Sequence, residues 1–178
     1  MPVSLSSRKS GPRAASQHLM RLIGLLTLLV SANPAMAQYW THYANARFGY
    51  ETDIPPDYVG EGQSANGDGQ VFFLPGGRQS LTVWGGNFHE TSSGLEDEVK
   101  SQFDADVQKG LSVSYQSSTP HWAVWSGTID NRVIYQRMIL LCDGTSYAAM
   151  RSEYERDDLN AMREIVEGLV RSFKGLDC

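Results

Sequence analysis

The sequence predicts an α+β domain: a single antiparallel sheet of about six to seven strands with one helix packed on each face, an α/β/α sandwich. Three observations predict it. Short apolar runs with period-two alternation are separated by Gly, Pro, Asn and Asp turn signals. Two stretches, Ser93 to Gly110 and Asp157 to Gly175, carry the stripe of an amphipathic helix instead. One strand-like run is apolar on both sides, with Val133, Tyr135, Ile139 and Leu141 on one and Ile134, Met138, Leu140 and Cys142 on the other. A strand of that kind is covered above and below.

Residues 1–37 read as a secretory signal peptide. Arg8, Lys9 and Arg13 precede an apolar run from Leu19 to Val30, and Ala35-Met36-Ala37 is an A-x-A cleavage pattern after the Asn33-Pro34 breaker. The run is shorter than the roughly 20 residues a membrane span needs, so no integral span is expected after cleavage. Met20 is a second candidate start, because Met20 to Ala37 alone is a complete short signal. The expected location is the periplasm or the extracellular space. Residues 38–178 then form a single globular domain. Losing Arg8, Lys9, Arg13 and Arg21 leaves 11 basic against 20 acidic side chains, net −9, with no basic run. That balance argues against nucleic acid as a partner and makes the domain a poor candidate for anionic membrane.

Gln38 to Arg47 is an aromatic-rich lead-in. Phe48 to Ile54 is a strand with Phe48, Tyr50, Thr52 and Ile54 on one side, stopped by Pro55-Pro56. Tyr58 and Val59 fold back onto the sheet, and Gly60 to Gly69 is a loop. Val71 to Leu74 and Ser80 to Trp84 are strands, the second ending at Gly85-Gly86-Asn87. Ser93 and Glu96 have capping-box spacing, Leu95, Val99, Phe103 and Val107 draw the first helix's stripe, and Gly110 closes it.

Leu111 to Ser118 alternates again. Asp130-Asn131 and Asp143-Gly144 are two-residue hairpin signals. They set Cys142 opposite Thr145, Leu140 opposite Tyr147, Met138 opposite Ala149, Ala123 beside Met138 and Trp122 beside Ile139. Asp157 caps the last helix, whose stripe is Leu159, Met162, Val166, Leu169 and Phe173, with Arg171 and Lys174 in its last turn.

Phe48-Gly49-Tyr50-x-x-x-Ile54-Pro55-x-x-Tyr58 resembles the opening strand signature of PsbP-like α/β/α sandwich domains. The later order of one helix, four strands and a C-terminal helix is similar to that fold as well. The resemblance implies a non-catalytic accessory or adaptor role. It carries over no metal or partner site.

Little in the sequence points to catalysis. His42, His89 and His121 have no metal-pair spacing. Gly144-Thr145-Ser146-Tyr147-Ala148 approximates a nucleophile elbow, but follows a hairpin turn rather than joining strand to helix. Asn66-Gly67-Asp68-Gly69 lacks the other ligands of a calcium loop, leaving a looser cation site near Asp57, Glu61 and Asp68. No cofactor is expected. Cys142 and Cys178 are expected to form one disulfide. Gln136 and Arg137 interrupt the central strand, and Gln136 neighbours Trp125 and Arg151. Gln136 and Arg137 form a structural network or line a pocket beside Trp125, with Trp125, Gln136 and Arg151 as the candidate contacts to a ligand or partner.

The leading functional reading is a periplasmic or secreted non-catalytic binding or accessory domain with an unknown protein or small-molecule partner. The alternatives are a small-ligand carrier with an aromatic pocket, or an enzyme assembled in space from residues such as His121, Asp130 and Ser146.

Overall fold

Turn chemistry and alternation give the described residues ten strands and two α-helices. The computed structural model describes residues 39–88 and 93–176. The expected signal peptide, His89 and Cys178 lie outside them. In order come β1 (Thr41–Asn45), β2 (Tyr50–Ile54), β3 (Val59–Gln63), β4 (Gly69–Phe73), β5 (Gln79–Asn87), α1 (Leu95–Gln108), β6 (Ser112–Thr119), β7 (Trp122–Ile129), β8 (Arg132–Leu140) and β9 (Ser146–Glu155). A 3-10 turn (Arg156–Asp158), α2 (Leu159–Ser172) and β10 (Lys174–Gly175) complete the described chain.

The expected single sheet with one helix on each face is overturned. The strands divide into an antiparallel seven-stranded sheet, β3-β4-β5-β9-β8-β7-β6, and a three-stranded sheet, β1-β2-β10. The aromatic-rich lead-in contains β1: Gly49 takes φ 68° and its N–H donates to Asn45 O at 2.9 Å, turning the chain so that β1 pairs with β2. β10 then joins β2 from the other side, with Lys174 opposite Glu51 and Gly175 opposite Tyr50.

The small sheet and α2 share one apolar cluster. Tyr50 and Ile54 of β2, Leu169 of α2 and Phe173 pack with Leu81, Val83, Ile139 and Met150 of the large sheet. Across the large sheet, Leu95 and Val99 of α1 pack with Trp125, Ile134, Met138 and Ala149. β8 is therefore buried on both sides, and its odd and even residues enter different clusters.

The hairpin register of β7, β8 and β9 matches the counting: Trp122 lies opposite Ile139, Ala123 opposite Met138, Met138 opposite Ala149 and Leu140 opposite Tyr147. The first turn is two residues, with Asp130 at φ 52°. The second is wider. Pairing stops at Leu140–Tyr147, and Gly144 N–H donates to Leu141 O, so Cys142 and Thr145 are turn residues.

Several local expectations shift by a residue or an element. β5 runs on through Gly85 and Gly86, because the Phe48 ring covers one glycine and the Tyr147 hydroxyl lies 2.6 Å from where a Cβ of Gly86 would be. At the start of α1, Ser93 N–H and Oγ donate to Asp97 Oδ2 at 2.7 and 2.8 Å, so Asp97 replaces Glu96 in that role. Asp158, not Asp157, precedes α2, and its carboxylate accepts from Arg78 at 2.9 Å rather than from the helix. Lys174 leaves the helix for β10, where its Nζ meets Glu51 Oε1 at 3.0 Å.

Candidate functional site

The polar residues singled out on the central strands come together under α1. Trp125, Gln136 and Arg151 occupy neighbouring positions on β7, β8 and β9. Their side chains meet Asp106, which α1 presses onto the sheet. Trp125 Nε1–H donates to Asp106 Oδ2 at 2.8 Å. Arg151 grips the same carboxylate with two nitrogens, at 2.9 and 3.1 Å, and donates to Gln136 Oε1 at 3.3 Å. From Gln136 the hydrogen bonds run to Gln102 Oε1 (3.3 Å), Gln102 to Glu98 Oε1 (2.8 Å), and Tyr147 O–H to the same Glu98 oxygen (3.0 Å).

Sequence reasoning missed Asp106. Four-residue steps overshoot a helical turn by about 40°, so a stripe drawn every four residues drifts off the buried face. By its end Val107 is 44% exposed, and Asp106 is buried instead. A signal was present: Glu98, Gln102 and Asp106 form their own four-residue series, a polar seam beside the apolar one.

Arg151 carries the positive charge of the network, against the carboxylates of Asp106 and Glu98. Burial alone would depress the Arg151 guanidinium, but hydrogen bonds from it to Asp106 and Glu153 outweigh burial and hold it above its ordinary value. Burial first, then the Glu98 carboxylate, pushes the Tyr147 hydroxyl up to about 12. Every carboxylate and amide in the chain of bonds has a partner, the condition under which a buried polar group tightens packing.

A second constellation lies on the other side of the large sheet. A cleft of about 460 Å³ opens between α2 and the β2–β3 connection, lined by Trp40, Asp57, Tyr58, Gln79, Glu164 and Arg171 among others. Trp40 and Arg171 also line an adjoining hollow of about 360 Å³ with Asp53 and Gly168. Gly168 explains the position of the indole: a Cβ there would lie 2.5 Å from Trp40 Cη2. Tyr58 turns its O–H to Gln79 Oε1 at 3.0 Å, and burial followed by Asp158 raises its pKa.

The remaining candidates do not converge. His121 and Asp130 flank β7 at opposite ends, about 30 Å apart at the usual rise per residue. Ser146 is buried and donates to Asp143 Oδ2 at 2.6 Å, closing the hairpin turn. That bond holds the Asp143 carboxyl below the usual carboxylate range. Asp57 faces the Trp40 cleft, whereas Glu61 and Asp68 line a different hollow. Among the described residues no three His, Cys, Asp or Glu side chains gather as metal ligands. No described helix is long and apolar enough to cross a membrane. The carbonyl of Leu176 lies 3.1 Å from Cys142 Sγ.

Neither a protein-family model nor a curated protein matches the chain. Solved structures do. The solution structure of cyanobacterial PsbP (CyanoP) from Synechocystis sp. PCC 6803 superposes with a TM-score of 0.57 at 14% identity, over 83% of this chain and 99% of that one. The Saccharomyces cerevisiae Ran-binding protein Mog1p gives 0.56 at 9% identity, over 79% and 97%. A point mutant of Mog1 gives 0.55 at 9% identity, over 78% and 97%. The chain has the fold of PsbP and Mog1p; at these identities the likeness is one of fold.

Proposed function

We propose that this chain is an exported, non-catalytic accessory domain that recognises a segment of a partner protein in the cleft beside Trp40. The cleft carries the reading. Its volume is in the range of small binding sites, and it combines aromatic rings with Asp57, Glu164 and Arg171 at its border. A fold neighbour named for binding another protein, Ran, supports protein recognition as one use of this architecture. The Asp106–Arg151 network, sealed by its own hydrogen bonds, serves to hold α1 on the sheet.

The test is affinity capture from the native envelope fraction with the wild-type chain and Gly168→Ala. Alanine should improve α2 by up to about 1 kcal/mol through helix propensity. Because its Cβ meets the indole, it should instead displace Trp40 and lose the captured partner, with the far-ultraviolet circular dichroism spectrum unchanged. Capture undiminished in Gly168→Ala would show that the cleft is not the site.

Export also bears on the two cysteines. An oxidising compartment favours a Cys142–Cys178 bridge, and the approach of Leu176 to Cys142 supports it. Closing a loop of about 37 residues should contribute about 3–4 kcal/mol. Unreduced protein should show no titratable thiol, and reduction should lower its denaturation midpoint. Two reactive thiols before reduction would disprove the bridge.

A further inference from the structure

The large sheet ends in two edges of different character. β3 (Val59–Gln63) carries Glu61 and two glycines, and its pairing with β4 is irregular between Gly60 and Gln63. Charge and irregularity are the usual means of keeping a sheet edge from pairing with another chain. β6 at the opposite edge reads Ser-Val-Ser-Tyr-Gln-Ser-Ser-Thr: eight residues without a charge or a proline, and all but Ser117 exposed. Its irregularity falls at Val113–Tyr115, leaving Tyr115 to Thr119 in regular register with β7.

We infer that β6 is a self-association edge, pairing antiparallel with β6 of a second copy to make one continuous sheet. The occupant follows from charge and register. A partner with a complementary charge would find none along this strand, whereas a second copy brings the same uncharged, hydroxyl-rich edge. A two-fold axis at Ser117 sets Ser117 opposite itself, Gln116 opposite Ser118 and Tyr115 opposite Thr119. Such hydroxyl and aromatic pairs favour antiparallel strands.

Because the irregularity between Val113 and Tyr115 takes up one residue, this register brings Val113 of the second copy level with Pro120. Val113 is exposed and pairs with Gly127, a position on the α1 side of the sheet. On that side, Leu95, Val99, Pro120 and Ala123 line a hollow of about 240 Å³ between α1 and the end of β6. The second copy's valine would come to its mouth, so one operation pairs the strands and brings an exposed apolar side chain to an apolar hollow.

The test is the mass of the purified chain by analytical ultracentrifugation across a concentration series. The wild type should dimerise reversibly. Ser117→Asp and Ser117→Lys should each weaken association by roughly tenfold or more, since like charges would face one another across the axis. An equimolar mixture of the two should restore it, a rescue that a mere folding defect could not produce. Gln116→Lys, at an exposed position, repeats the disruption where Ser117 is half-buried. A monomer at every concentration, a dimer indifferent to all three substitutions, or a mixture without rescue would each overturn the inference.

Discussion

Replacing Arg151 by alanine should cost about 3–5 kcal/mol of unfolding free energy, because it strands a buried carboxylate. The Asp106 side chain is only 4% exposed and would keep a single donor, Trp125 Nε1–H. Asp106→Ala should cost less. Arg151 is 19% exposed and retains Glu153 at 2.7 Å, so its charge still has company and some water. The double variant Asp106→Leu with Arg151→Met should recover most of the loss, since an apolar pair of similar size avoids the desolvation of both ions. Urea denaturation of the four proteins checks the order. Equal losses for the two alanine variants, with no recovery in the double variant, would mean that the ion pair is not the unit holding α1 down.

Leu169→Ala should cost about 2–5 kcal/mol. Leu169 is almost wholly buried where α2, the small sheet and the large sheet meet, in contact range of one cluster containing Tyr50, Ile54, Leu81 and Met150. A cavity there removes contacts from both sheets at once. Near-ultraviolet and far-ultraviolet transitions should therefore move to lower temperature together. Separate transitions, with the far-ultraviolet one unmoved, would show that the small sheet melts on its own and that Leu169 does not couple the two.

The middle of the chain was legible because its turns carry their own chemistry. Asp130-Asn131 and Asp143-Gly144 anchor the ladder of β7, β8 and β9, and counting outward from them reaches the neighbouring positions of Trp125, Gln136 and Arg151. The edges were not legible. β1 and β3 are largely exposed, so burial imposes no period-two pattern on Thr41–Asn45 or Val59–Gln63. The division into two sheets was also hidden, because alternation tells which face of β2 is buried but not which strand it pairs with. Asp106 and Gly168 escaped for a related reason. One looks like a solvated acid and the other like a weak helix residue until Arg151 and Trp40 are placed against them.

The two-residue β10 has a consequence for the time course of folding. β2 is completed only when Lys174 and Gly175 arrive, and Thr52 Oγ1 reaches Ser172 Oγ across 120 residues of sequence. Closure over so long a separation is entropically expensive and kinetically slow. On a chain emerging N-terminus first, β1 and β2 therefore lack one flank of their pairing until nearly all the rest has been made. During that interval Tyr50 and Ile54 have no α2 to pack against.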